Sequence, residues 1–506
     1  MSNSNADAPH RGMYEITLEA SSEFGNPYFD VELQVIFTRS DGSEATVDGF
    51  YDGDRTFRAR AYCDTMRKWQ WRSASNISGL DDKVGSFHVV SSSLKGKLRK
   101  HPCDQRQFAY DNGEWFLHIG DTGYRYVVSA EPKWREYIDQ AAQMGATKIR
   151  TWFCQGRSDV QILFSEERKG LNLEYWQEID RRIAYAFERH PDVIFKLIPY
   201  GEDTEEIRRY DTGDKASRLI ARYAQARFSA FPNVIWCISN DREIARDVKL
   251  TGRQVSYDTI NHMGQDMAAR EPWGTLLTNH QCRFSGYSFV EEPWSDIITI
   301  EDIDQVDGEI IMEYRAKGNH PVINDEDRYE CYRNPRHDRY FYRRLMWASL
   351  LSGGHATYGG LNTFEPYDGD LKGVQGYYDA VEAGKLEEGA HDFNHIHKFF
   401  ADSGLTLVNM IPNDSLVGDD PMKWKCIYDY DKFIVYLANP TGSEPESDAE
   451  ADTVPEVTVQ LPEDDFTAKW FNPSTGIWHG NKLISGGRQT LTAPDTGDWV
   501  LLLEKE

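Results

Sequence analysis

The sequence predicts an α/β architecture, a (β/α)8 barrel flanked by two small all-β sandwiches. Three observations lead to it. Apolar and polar residues alternate with period two over roughly the first hundred positions; short apolar runs alternate with longer amphipathic stretches from about 106; and the strand pattern returns after about 405. The expected divisions are 1–105, 106–405 and 406–506. A chain of 506 residues exceeds what one hydrophobic core organises, so more than one is expected.

In the first division Tyr14, Ile16 and Leu18 alternate with polar positions, as do Val31, Leu33, Val35 and Phe37, and Asp41-Gly42 supplies a turn. Trp69, Trp71, Phe87 and Val89 are its candidate core or rim. Eight apolar runs follow as candidate parallel strands: Trp115 to Ile119, Thr147 to Phe153, Val193 to Pro199, Val234 to Ser239, Thr275 to Asn279, Ile297 to Ile300, Pro321 to Asn324, and His355 to Tyr358. Between the second and third, Ile179, Ile183, Ala186 and Phe187 form the stripe of a helix that covers a barrel. In the last division Phe433 to Leu437, Val457 to Leu461, Lys469 to Phe471 and Trp499 to Leu503 read as strands, with turns at Asn472-Pro473 and Thr475-Gly476. The acidic stretch from Gly442 to Asp452 reads as a solvated hairpin loop.

Composition narrows the function. Against 82 acidic residues stand 56 basic ones, and a net charge of -26 repels phosphate backbones and anionic membranes, so neither nucleic acid nor membrane is an expected partner. Apolar runs stay well short of the roughly 18 residues that a membrane span needs. The polar start MSNSNADAPHRG lacks an export signal, and seven cysteines without a CxxC pattern fit a reduced chain, so a cytoplasmic setting is expected, with a removed signal left open.

Catalytic groups of such barrels sit at the C-terminal ends of the strands. The polar residues found there are Gly120-Asp121-Thr122, Arg150-Thr151-Trp152, Tyr200-Gly201-Glu202-Asp203, Asn240-Asp241, Asn279-His280, Asp325-Glu326, and His355 with Tyr358. Glycoside hydrolysis needs two carboxyl groups flanking the scissile bond, and Asp241 and Glu326, after the fourth and seventh strands, meet that need.

The segments NVIWCISND, INDEDRYE and LLSGGHATYGG resemble the barrel motifs of apiosidase-like glycoside hydrolases, and GDT at 120–122 fits the same pattern. YDGDRTFRARAYC, KWQWRSASN and AKWFNPSTG resemble the sandwiches that flank such barrels. The resemblance implies a retaining hydrolase with Asp241 as acid/base and Glu326 as nucleophile, Arg150 holding the nucleophile charged and Asn240 meeting a sugar hydroxyl. The wider clan carries Asn-Glu where this chain has Asn240-Asp241, which keeps Glu243 open as the alternative acid/base, and Glu330 is the rival of Glu326.

Other candidates each carry two readings. Asp121 either contacts substrate or caps a turn. Tyr124, Trp152 and Tyr358 either stack on sugar faces or pack the rim. His280 and His355 either reach substrate or are buried and satisfied. His391, His395 and His397 form an HxxxHxH that could place two imidazoles on one helical face, a spacing that metal sites use, but no third ligand is indicated, and no metal or cofactor is expected. The expected partner is an oligosaccharide or glycoside; sugar, linkage and oligomeric state stay open. Two other functions remain alongside hydrolysis: an inactive carbohydrate-binding or scaffold protein, and a lyase acting on uronic polymers.

Overall fold

The computed structural model describes residues 7–154, 160–246, 249–330, 337, 339–360, 388–418, 420–442 and 450–506. At its centre is a parallel sheet of eight strands: β1 (Gly120–Thr122), β2 (Lys148–Trp152), β3 (Ile194–Ile198), β4 (Val234–Cys237), β5 (Leu277–Thr278), β6 (Ile298–Glu301), β7 (Val322–Glu326) and β8 (His355–Tyr358). Their spatial order is 5-4-3-2-1-8-7-6, a barrel with one seam between β5 and β6. Single bonds bridge that seam. The Asp296 amide donates to the Leu277 carbonyl at 2.9 Å, and Thr278 Oγ1 donates to the Ile297 carbonyl at 2.7 Å.

Helices α1 (Lys133–Gln143), α2 (Leu173–Arg189), α3 (Lys215–Phe228), α4 (Tyr257–Ala269), α5 (Glu309–Lys317), α6 (Arg339–Leu351) and α7 (Phe393–Ser403) accompany these strands. The α2 stripe buries Ile179, Ile183 and Ala186 together with Trp176. Side-chain caps start α2 and α3: Asn172 accepts from the Tyr175 amide at α2, and Asp214 from the Ala216 and Ser217 amides at α3. Among the described residues no helix is long and apolar enough to cross a membrane.

The first barrel strand differs from the expected one. Only Trp115–Phe116 of the run Trp115 to Ile119 is a strand, and it pairs antiparallel with Asp104–Tyr110. A turn at Asn112-Gly113, where Gly113 has φ +90°, folds the chain back before parallel pairing begins. The small sheet so formed floors the barrel, with Leu98, Phe108, Tyr110 and Phe116 packed on Ile194, Ile235, Leu276, Ile297 and Ile323. Gly120-Asp121-Thr122 is therefore β1 itself, not the loop that follows it.

Before the barrel, a five-stranded and a three-stranded sheet enclose Val35, Phe37, Phe57, Ala59, Trp69 and Phe87. Trp69 is fully buried, as the alternation requires. Arg60 ties this unit to the barrel with paired hydrogen bonds of 3.0 and 2.7 Å to Asp180 on α2, which Arg227 on α3 also reaches at 2.9 Å. After the barrel, a six-stranded sheet and a two-stranded one enclose Phe433, Val459, Phe466 and Trp499. In the acidic stretch, Pro440 and Glu450 form an antiparallel bridge at the flanks, and residues 443–449 lie outside those described.

Candidate active site

Alternation along the strands sets what points inward. Lys148, Arg150 and Trp152 share the inner face of β2, and Lys196 and Ile198 that of β3. Asp325 is fully buried and held by Lys148, Lys196 and Thr357. Strict alternation would turn the next residue of β7 outward, but the register slips there: Ile300 faces Asn324 while Glu301 faces Glu326. Asp325 is the extra residue of this bulge, and the bulge brings Glu326 round into the barrel.

Glu326 is 6% exposed and receives three donors. Arg150 Nη2 reaches Oε2 at 2.6 Å and the Tyr124 hydroxyl reaches the same oxygen at 3.0 Å, while the Tyr329 hydroxyl donates to Oε1. Tyr124 stacks on Trp152 at 4.0 Å between centroids and lies under the Arg150 guanidinium at 4.8 Å. Burial raises the Tyr124 phenol well above its ordinary pKa, so it remains a donor. A donor-rich pocket of this kind stabilises the ionised carboxylate.

Asp241 follows β4 in a left-handed backbone conformation, φ +52°, which Asp tolerates better than most residues. Its Oδ2 accepts from Arg253 at 3.1 Å. Asn240 sends Nδ2 to the Tyr124 hydroxyl at 3.0 Å, linking the two carboxylate neighbourhoods, while its Oδ1 has no hydrogen-bond partner among the described residues. His280 receives Arg150 Nη1 on Nε2 at 3.0 Å; since arginine only donates, the ring hydrogen sits on Nδ1, 3.7 Å from Asp241 Oδ1. Burial, with Arg150 beside it, lowers the His280 pKa far below its usual value and keeps the ring neutral.

One oxygen from each of Asp241, Glu301 and Glu326 and one nitrogen of His280 all lie within 4.8 Å of one another. Glu301 was not among the expected residues. It directly follows the apolar run Ile297 to Ile300, the same signal that picks out Asn240-Asp241. Tyr329, three residues beyond Glu326, was also missed; tyrosines in a loop carry no sequence mark of the bond they make.

Arg150, Asn240, Tyr124, Trp152 and His280 thus converge with Asp241 and Glu326, whereas three other expected site residues do not. Asp121 points out of the barrel, where Oδ2 accepts from Tyr137 of α1 at 2.7 Å and Oδ1 from the Thr122 amide at 2.8 Å and the Gly360 amide at 3.2 Å. As the middle residue of β1 it must face opposite to its neighbours, which is why it braces a helix. Tyr358 also faces outward, donating to Glu330 and packing against Tyr342 and Phe393. His355 opens β8 at the floor end, 5.1 Å from the His118 ring and 5.2 Å from Phe108, because the strand starts rather than ends there. Its nitrogens have no partner among the described residues, so it is buried without being satisfied.

The two rival carboxylates lie outside the cluster: Glu243 is exposed and Glu330 is engaged with Tyr358. His395 Nδ1 and His397 Nε2 donate to the carbonyls of Pro473 and Gly145 at 3.0 and 2.8 Å, two separate directions.

Residues 103–406 match the family described as apiosidase-like, catalytic domain, and residues 11–76 match a domain of unknown function (DUF5060). Among curated proteins, none matches this sequence. A crystal structure of a protein from Bacteroides vulgatus, provisionally named a glycoside hydrolase, is 17% identical over 99% of this chain and 100% of its own, with a TM-score of 0.75. A family 5 glycoside hydrolase from the same organism is 16% identical, over 81% of this chain and 94% of its own, with a TM-score of 0.64. At these identities the likeness extends to the fold.

Proposed function

Since the chain belongs to the apiosidase-like family, we propose that it is a glycoside hydrolase acting on an oligosaccharide or glycoside with retention of configuration, Glu326 being the nucleophile and Asp241 the acid/base. One observation carries this reading: a carboxylate that accepts from Arg150, Tyr124 and Tyr329, with an oxygen of a second carboxyl group within 4.8 Å. Retaining enzymes hold their two carboxyl groups about 5 to 5.5 Å apart, while inverting ones leave roughly 6.5 to 9.5 Å for a water. The short gap supports direct attack.

In the first step a Glu326 oxygen bonds to the anomeric carbon as the glycosidic C–O bond breaks, and Asp241 gives its proton to the leaving oxygen. In the second, Asp241 takes a proton from water whose oxygen displaces Glu326. Arg150 favours the ionised nucleophile before attack and the departing carboxylate afterwards. The free Asn240 Oδ1 offers an acceptor for a sugar hydroxyl.

The experiment is a panel of 4-nitrophenyl glycosides and polysaccharides incubated with the native protein and with Glu326→Gln. Turnover of one member, lost in the variant, with the first-formed anomer matching the substrate by proton NMR, is the expected result. An inverted first product overturns the retaining assignment, and turnover unaffected in Glu326→Gln overturns the nucleophile.

A further inference from the structure

Three carboxyl groups meet where the reaction sketched above employs two. Glu301 ends β6, directly opposite Glu326 across the β6–β7 ladder, and is 4% exposed. Asp241 reaches it from the loop after β4 and His280 from the residues after β5. The only guanidinium paired with Glu301 among the described residues is Arg283, whose Nε lies 3.0 Å from Oε1.

Buried carboxylates this close, with an oxygen of each within 4.8 Å of the others, resist all being charged at once. Of the other nearby guanidiniums, Arg150 serves Glu326 and His280, Arg253 serves Asp241 and Arg242 serves Glu202, so Arg283 alone faces Glu301. A metal ion would find few free lone pairs. His280 Nε2 is occupied by Arg150 and Nδ1 bears hydrogen, and both oxygens of Glu326 already accept. A proton is the cation that fits.

We infer that Glu301 shares one proton with Asp241, as a positioning residue that stores the acid's proton at rest and takes up negative charge when that proton is used. The inference rests on Asp241 being the acid/base. The balance of forces supports it. Burial, then the charge of Glu326 and the contact with Asp241, drive the Glu301 pKa far above the carboxylate range, with Arg283 offsetting a part. Burial pushes Asp241 the same way, but the hydrogen bond from Glu301 and the charges of Arg253, Arg150 and Arg242 outweigh it and hold Asp241 low. At rest, then, the hydrogen is on Glu301 and points at Asp241.

When a glycosidic oxygen arrives, the proton crosses: one O–H bond breaks on Glu301, one forms on Asp241, and the new Glu301 carboxylate faces Arg283. Asp241 passes the proton to the leaving oxygen as Glu326 becomes an ester, so the total charge of the three acids is unchanged. The proton released by the attacking water restores the pair.

The test compares the full-length protein with Glu301→Gln and Glu301→Asp. Gln keeps a donor toward Asp241 but cannot part with a proton; Asp can. The infrared difference spectrum between the native protein and Glu301→Gln at neutral pH should contain a carboxylic acid C=O band that Glu301→Asp retains, a readout that needs no substrate. On an aryl glycoside that the native protein hydrolyses, Glu301→Gln should move the alkaline limb of kcat/KM to lower pH and cost about ten- to hundredfold for poor leaving groups, with little loss for 2,4-dinitrophenyl leaving groups, and Glu301→Asp should recover the limb. A difference spectrum without that band overturns the proposal whatever the activity. Absence of any hydrolysis, with the band present, instead sinks the hydrolase reading and leaves the shared proton standing.

Discussion

Nη2 of Arg150 lies 2.6 Å from Oε2 of Glu326, in a pair whose arginine is fully buried and whose glutamate is nearly so. The same guanidinium fixes the His280 tautomer, so a single side chain pairs with one acid and sets the hydrogen facing the other.

Replacing that arginine should therefore do two kinds of damage. Arg150→Met leaves Glu326 charged without its counter-ion, and breaking a buried pair in this way costs about 3 to 5 kcal/mol. Calorimetry should show a lower melting temperature. Hydrolysis of the best aryl glycoside should fall by at least about a hundredfold, since a 2.7 kcal/mol loss in the transition state already amounts to that.

Asp121 should matter to stability rather than turnover. Burial raises its pKa to about 6, against the pull of Tyr137 and the Thr122 and Gly360 amides. A carboxyl group with a raised folded pKa binds its proton more tightly when folded, so its contribution is full below the unfolded value near 4 and is lost as pH rises through about 6. In Asp121→Asn the melting temperature should change less between pH 4 and 6 than in the native protein, while kcat at neutral pH stays within about twofold. A hundredfold loss of kcat would return Asp121 to the substrate site.

The floor histidine gives the opposite slope. Burial, with Arg315 at longer range, lowers the His355 pKa to about 3. The unfolded chain then takes up a proton that the folded one refuses, and stability falls as pH drops from about 6.5 toward 3, by up to about 1.4 kcal/mol per pH unit. His355→Leu removes both the titration and two unpartnered ring nitrogens, so acid unfolding should move to lower pH. An unchanged acid midpoint would mean that the ring is protonated and compensated in the folded state.

Much of this arrangement was legible in the chain because barrels print their strands as apolar runs and their chemistry just beyond them. Asp241, Glu326, Arg150, Asn240 and His280 were found that way, and they meet. Three expected residues lie away from that cluster for physical reasons. Asp121 lies within a strand, where parity and not proximity to the mouth decides direction. His355 begins its strand, at the floor end. Tyr358 faces the helices, engaged with Glu330. Conversely, the bulge that turns Glu326 inward leaves no trace in composition, since it is a slip of register between two paired strands. Glu301 directly follows the apolar run that ends at Ile300, so its place at a strand end is legible, while its closeness to Asp241 is a matter of tertiary packing.

The seam between β5 and β6 bears on all of this. Glu301 rises from one bank and His280 from the other, and the banks are joined by bonds between Asp296 and Leu277 and between the Thr278 hydroxyl and both Ile297 and Thr299 instead of a continuous ladder. Amide hydrogens along that line should exchange with solvent sooner than those between β2 and β3, where five consecutive residues pair. The spacing of the acids is thus held most weakly across the one gap in the wall, and a substitution as distant as Thr278→Val would reach the chemistry as a change of width, not of charge.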